Sequence, residues 1–364
     1  MMNRLLVTIF AAAGLALTGA AVAADAPTWP GLKEADFAIR DFHFRSGETL
    51  PELKIHYRTL GTPKYDAQHR ITNAVMILHG TGGDGSTFLR PIFGGELFGA
   101  GQPLDASRYF IILPDGIGHG QSSKPSDGLR AKFPHYNYDD MVEAEHRLAK
   151  DGLKTGKLRL ILGTSMGCMH AFVWGETYAA DVQALAPFAC LPVRIVGRNR
   201  LWRHMVIDVI QHDPTWQGGE YKQEPSEGLR AASDLLWIAG SAPQQMQKSL
   251  ATAEQVDESF GTRTAEELAK LDANDLIYQV DASRDYDPSA GLEKITAPML
   301  WINSADDFIN PPELGIAQKE APRLAHGRFI LLPISENTHG HGTHTWAVAW
   351  KDELAQFMTE TEGK

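Results

Sequence analysis

Residues 160–167 read Leu-Ile-Leu-Gly-Thr-Ser-Met-Gly, an apolar run that meets Gly163-x-Ser165-x-Gly167 and passes straight into residues with helical spacing. Few folds accommodate this. A strand that reverses into a helix through one serine turns so tightly that the residues two before and two after must be small, and the strain lifts the hydroxyl above the sheet edge. The surrounding chain has the rhythm such a turn needs. β-rich runs at 37–42, 53–60, 74–78, 109–113, 158–162, 182–188, 299–303 and 329–332 are joined in the later part by amphipathic helical patterns at 143–150, 166–178, 313–324 and 346–358, with apolar residues three or four apart. Strands alternating with helices imply an α/β fold with a mostly parallel central sheet covered on both faces.

The rhythm breaks once. From 192 to 291 no convincing strand is found, and helical segments at 199–211, 234–239 and 265–271, rich in Trp, Met and Gln, read as an inserted helical cap. The expected organisation is a core in two parts, 24–191 and 292–364, around a cap at 192–291. Residues 1–23 form a separate unit: Arg4, an apolar run from Leu5 to Leu17, and Ala21-Val22-Ala23 make a secretory signal peptide. That run is too short for the roughly 20 residues that cross a bilayer, so the expectation is a periplasmic or secreted protein without stable membrane insertion.

Composition limits the partners. With 34 Lys+Arg against 45 Asp+Glu the formal charge is −11, which repels phosphate backbones, and no basic run reverses that sign locally, so no nucleic acid is expected. The cap offers a surface for a homodimer. Two cysteines, Cys168 and Cys190, cannot build a disulfide framework; an oxidising compartment permits a bridge between them, but two buried free thiols is the plainer expectation.

A serine hydroxyl needs a base to take its proton and a carboxylate to orient that base. In a strand-turn-helix chain of this kind the order should be Ser, Asp, His. The strand end at 301–303 leads into Asp306-Asp307, and Asp307, which precedes Phe308-Ile309-Asn310-Pro311, is favoured over Asp306 as the acid. After the last strand come His339, His341 and His344. His341, between Gly340 and Gly342, has the backbone freedom to turn inward and is favoured as the base. The same three histidines with Asp306 or Asp307 also suggest a zinc cluster, although a metallohydrolase leaves the Ser165 turn unexplained.

Acyl transfer further requires donors aimed at the oxyanion. The strand at 74–78 ends in His79-Gly80-Thr81-Gly82-Gly83, so the backbone N–H groups of Thr81 and of Met166, the residue after the serine, are the expected pair. A phosphate cradle is disfavoured, because no Lys-Ser/Thr follows and Asp84 repels phosphate. Within the cap, Trp202, Arg203, Ile207 and Tyr221 are candidate pocket residues; Trp216, Trp237, Met205 and Met246 could join an apolar wall or pack the cap's own core.

With these residues in view, the chain resembles an α/β-hydrolase of the homoserine O-acetyltransferase-like group. The similarity runs through Leu78-His79-Gly80-Thr81-Gly82, Gly118-His119-Gly120-Gln121-Ser122-Ser123-Lys124-Pro125, Phe133-Pro134, Asp139-Asp140-Met141-Val142 and Gly163-Thr164-Ser165-Met166-Gly167-Cys168-Met169. In the cap it continues through Asp213-Pro214-Thr215-Trp216-Gln217-Gly218-Gly219-Glu220-Tyr221, then Pro225 and Gly228-Leu229. The resemblance implies a triad of Ser165, Asp307 and His341, and an acetyl group carried from acetyl-CoA through the serine to an amino-acid hydroxyl. The sequence departs from the group at two points. The group's arginine six residues before the aspartate of Asp-Pro, which would hold the acceptor carboxylate, is here Ile207, which cannot act as a bidentate clamp; Arg203, one helical turn earlier, is the available substitute. The second departure is the export signal, since acetyl-CoA is a cytoplasmic donor. The resulting expectation is a hydrolase that releases a small-molecule acyl substrate to water and needs no cofactor, with acetyl-CoA-dependent transfer as the alternative.

Overall fold

The computed structural model describes residues 29–363; the expected signal peptide lies outside them. Among the described residues eight strands form one sheet in the order β1-β2-β4-β3-β5-β6-β7-β8. They are β1 (Lys33–His43), β2 (Thr49–Leu60), β3 (Ala74–Leu78), β4 (Phe110–Pro114), β5 (Leu160–Thr164), β6 (Leu185–Phe188), β7 (Met299–Ser304) and β8 (Gly327–Leu332). β1 pairs antiparallel with β2, and β2 with β4; every later pairing is parallel.

The central strands are continuous apolar runs because both of their faces are covered. Alternate side chains go to opposite layers. Met76, Leu78 and Ile161 join the layer built by helices Tyr138–Arg147 and Met166–Thr177, whereas Val75, Ile77, Leu160 and Leu162 pack with Phe88, Phe93, Trp350 and Phe357 on the other side. Asp115, fully buried just beyond β4, gathers the loops at this end of the sheet. It pairs with Arg58 at 2.7 Å and accepts the N–H groups of Gly85 at 2.9 Å and Gln121 at 2.8 Å.

Between β6 and β7 the longer elements are all helices: Gly197–Gln211, Ser226–Gly240, Pro243–Ser249, Ala253–Leu268 and Ala273–Asp281. The first two pack together where Asp213, beyond the first helix, accepts the Thr215 N–H at 2.8 Å and the Gly228 N–H at 2.9 Å. This gives the Asp213-Pro214-Thr215 segment a structural use: it ties one helix end to the start of the next.

Two expectations fail. The helical pattern at 313–324 breaks into the short turns Pro312–Leu314, Ile316–Glu320 and Ala321–Arg323. Gly315 takes a left-handed φ of 65° and Pro322 cannot donate to a helical ladder, so the apolar spacing persists without a continuous helix. The second concerns the cysteines, which are bridged rather than free. The helix after Ser165 brings Cys168 beside the end of β6, where its Cα lies 5.8 Å from that of Cys190, within disulfide range. Sequence spacing could not show that proximity.

Candidate active site

Ser165 stands where β5 gives way to helix Met166–Thr177, with φ 55° and ψ −107°, a region that side-chain-bearing residues rarely occupy. The two glycines around it are sterically obligatory. A Cβ on Gly163 would overlap the Gly167 carbonyl, and one on Gly167 would overlap the carbonyl of Leu78 on β3. The Gly167 N–H donates to the His79 carbonyl at 2.9 Å, fastening the turn to the loop after β3.

Loops at the carboxyl ends of three strands bring the expected catalytic residues together. Ser165 Oγ is 2.8 Å from His341 Nε2, and His341 Nδ1 is 2.9 Å from Asp307 Oδ2. The tautomer follows from chemistry: Nδ1 donates to the carboxylate, leaving Nε2 to accept from the hydroxyl. Asp307 Oδ1 also accepts the N–H groups of Ile309 at 2.8 Å and Asn310 at 3.1 Å, closing its own turn. Burial works to raise the Asp307 carboxyl, but the adjacent imidazole and the Asn310 donors outweigh it and hold the group below its ordinary value. Asp307 therefore stays ionised beside His341. Asp306, the competing acid, bonds Ser304 Oγ and accepts the Gly340 N–H at 3.0 Å.

The three histidines at 339–344 do not converge. His339 lies flat against Trp346 with ring centres 3.7 Å apart, His341 is engaged as above, and His344 stands edge-on to His341 with ring centres 5.1 Å apart. Among the described residues no three His, Cys, Asp or Glu side chains could jointly hold a metal ion.

Thr81 and Met166 flank the serine on its other side. Neither backbone N–H bonds a protein acceptor among the described residues, and Met166 opens its helix, where unpaired N–H groups and the helix dipole favour negative charge. Gly80 lies so near that a Cβ there would sit 3.2 Å from Ser165 Cβ. Two histidines hold the loop. His79 Nε2 accepts the Gly116 N–H at 2.9 Å, so its Nδ1 donates to the Gly80 carbonyl at 2.8 Å. His119 Nε2 reaches the Thr81 carbonyl at 3.0 Å; burial, with His79 adjacent, pushes it down to about 3 and keeps it neutral.

Two cavities meet at Ser165 and His341. One, of about 410 Å³, runs between the segment after β6 and the turns after β7. The other, of about 870 Å³, opens between the Thr81 loop and the helices that precede β7. Of the four pocket candidates, Arg203 lines both cavities and Trp202 the larger. Ile207 and Tyr221 line neither: Ile207 packs on the core, and Tyr221 is buried, its hydroxyl accepting the Asn274 N–H at 3.2 Å. Trp216 and Trp237 are likewise spent on packing, against Asn274 and Phe260. Arg203 is only 3 % exposed, and its nearest partners are neutral, Asn199 at 2.9 Å and Ser283 at 3.1 Å. Burial lowers its guanidinium from the usual value.

Sequence reasoning gives no role to His119 or Asn310, and weighs Asp306 only as a competing acid or a metal ligand. Asn310 Nδ2 donates to Asp307 Oδ2 and to the Ala189 carbonyl, both at 3.0 Å, bracing the acid against the end of β6. Its position three residues after the acid, before a proline, is the one signal that points to it.

This sheet, with a serine on a strained strand-to-helix turn, defines a class, and comparison with known proteins agrees: a family model described as the alpha/beta hydrolase fold matches residues 73–321. The chain belongs to the α/β-hydrolase family and is an enzyme of that superfamily. Within it, the chain is homoserine O-acetyltransferase-like. It is 32% identical to a probable acyltransferase of Methanothermobacter thermautotrophicus, over 76% of this chain and 84% of that one. It is 29% identical to the homoserine O-acetyltransferase of Haloferax prahovense, over 86% of each chain. An acetylester hydrolase from Corynebacterium glutamicum shares the fold at a TM-score of 0.78 and 21% identity, covering 90% of this chain and 96% of that one.

Proposed function

We propose that this protein is an exported serine hydrolase that cleaves an ester or related acyl bond. The observation that carries the reading is His341, set between Ser165 Oγ at 2.8 Å and Asp307 Oδ2 at 2.9 Å beside two cavities. Ser165 Oγ attacks the acyl carbon while His341 Nε2 takes its proton; the carbonyl oxygen gains negative charge between the Thr81 and Met166 N–H groups. The C–O bond to the leaving alcohol breaks as His341 returns the proton to that oxygen. Water then attacks the acyl-enzyme carbon and gives its proton to His341; the bond to Ser165 Oγ breaks as His341 returns that proton to the serine, and the acid is released. Asp307 fixes the tautomer and stabilises the imidazolium.

The Cys168–Cys190 bridge fits an oxidising compartment, as does the expected signal peptide. Among the described residues no helix is long and apolar enough to cross a membrane.

Labelling with a serine-reactive fluorophosphonate tests the reading. An adduct on the wild type that is lost in Ser165→Ala supports it; no Ser165-dependent adduct rejects it.

A second reading, acyl transfer from a thioester to a hydroxyl acceptor, is favoured by the acyltransferase relatives. Arg203, buried with neutral partners beside both cavities, would hold an acceptor carboxylate. Under that reading acetyl-CoA turnover accelerates with a hydroxyl amino acid; under hydrolysis the rate ignores the acceptor.

A further inference from the structure

An acyl-enzyme formed at Ser165 has three substituents to place around its carbon as it forms and breaks down. The oxyanion belongs between the Thr81 and Met166 N–H groups. The acyl chain and the leaving or attacking oxygen need separate room within reach of Ser165 and His341, and the two cavities provide it, one mostly apolar and the other bordered by charged groups.

The larger cavity is mixed, with charged groups set beside Trp202, Leu236, Leu271 and Leu276. Lys124, Arg263, Lys270, Asp272 and Asp275 border it. Two of its residues, Trp202 and His344, carry a buried nitrogen without a hydrogen bond of ordinary geometry, Trp202 Nε1 and His344 Nδ1. Such atoms call for water or a polar ligand.

The smaller cavity is mostly apolar. Leu191, Val193, Ile195, Ile309, Leu314 and Ile316 make its wall, and among the described residues none of its lining side chains has a buried polar atom lacking a partner. Of the bordering cations, Arg194 pairs with Asp287 at 3.3 Å, Arg198 lies over the Phe308 ring at 4.0 Å and donates to its carbonyl at 2.6 Å, and Arg203, shared with the larger cavity at the Ser165 end, bonds Asn199 at 2.9 Å and Ser283 at 3.1 Å. Aliphatic wall continues to the outer surface, where Val196 is 63 % and Leu314 57 % exposed. A volume of about 410 Å³ is far more than a two-carbon acyl group fills.

From this we infer that the 191–198 and 309–316 segments form an acyl-chain channel, and that the preferred substrate carries an aliphatic acyl group of medium length, well beyond acetyl. The alcohol, and the water that follows it, use the larger, mixed cavity. This rests on the hydrolase reading and adds the substrate class. The chain makes no covalent contact with the channel. It gains by leaving water, and full burial of one methylene is about a fourfold gain, the equivalent of about 0.8 kcal/mol.

The test is a series of p-nitrophenyl esters from acetate to laurate, assayed on the wild type, Val193→Trp and Leu314→Asp. The wild type should show kcat/KM at least tenfold higher for octanoate than for acetate. Val193→Trp fills the channel and should lower the octanoate-to-acetate ratio tenfold or more. Leu314→Asp puts a charge at the outer end and should lower the laurate-to-butyrate ratio. Because each ratio is taken within one variant, loss of folded protein cancels. A wild type that prefers acetate, or ratios unchanged in both variants, overturns the channel while leaving the hydrolase reading in place. No hydrolysis of any ester together with no Ser165-dependent adduct overturns the hydrolase reading itself.

Discussion

The carboxylate of Asp306 accepts the Gly340 N–H at 3.0 Å, one residue before the imidazole that the adjacent Asp307 orients. Two consecutive acids thus share the support of one histidine. Asp306 holds the loop in place, and Asp307 sets the ring carried by that loop.

Their substitutions should separate accordingly. Asp307→Asn keeps the shape but forfeits the tautomer, and the expected fall in kcat is on the order of ten-thousandfold. Asp306→Ala leaves the triad complete and removes only a loop anchor, so its loss should be smaller by at least two orders of magnitude. Steady-state kinetics on whichever ester is turned over compares them; equal losses would reject the division.

The Cys168–Cys190 bridge closes a loop with a sequence separation of 22. Chain-entropy reasoning gives about 3 kcal/mol for a loop of this size. The double variant Cys168→Ala/Cys190→Ala should therefore unfold at a lower denaturant midpoint, and reductant should shift the wild-type midpoint toward it without moving the variant. A wild type indifferent to reductant would show that the bridge contributes nothing.

Breaking the Asp115–Arg58 pair leaves a buried guanidinium with the half-exposed Glu34 as its remaining hydrogen-bond partner, and two backbone donors without an acceptor. For Asp115→Ala the expected loss is about 3 kcal/mol. Urea unfolding reads this, and a loss under about 1 kcal/mol would show that the loops relax around the gap.

Burial pushes His119 and His344 down from 6.5 to about 3, so the folded protein leaves both neutral where the unfolded chain protonates them. The sign follows. Between about pH 6.5 and 3 the unfolded state binds more protons, so the stability these groups give is full above 6.5 and declines as the pH falls through that window. The slope reaches about 1.4 kcal/mol per pH unit for each group. His344→Asn should flatten the acid limb of a melting-temperature profile, and an unchanged limb would mean that His344 already titrates normally in the folded state.

Much of this fold is legible in the sequence, for physical reasons. β3, β4 and β5 are buried on both faces, so they read as unbroken apolar runs, and the Ser165 turn tolerates so little at 163 and 167 that its glycines announce it. Local constraints single out the serine, the second aspartate and the middle histidine, and the structure brings these three together. Contacts between distant segments are not legible. Nothing near Cys168 marks its approach to Cys190; Ile207 shares a helix with Trp202 and Arg203 yet packs on the core, and Tyr221, beyond that helix, is spent on Asn274. The 313–324 pattern misleads because apolar spacing survives a left-handed glycine and a proline that a helix does not.

Ser165, Asp307 and His341 ride on loops anchored by the sheet, while much of the wall around them comes from the segment between β6 and β7. Reactivity and selectivity are therefore separable parts of one molecule. A lineage, or an engineer, can exchange that one segment and redirect the enzyme to new substrates without rebuilding the frame that makes the serine reactive.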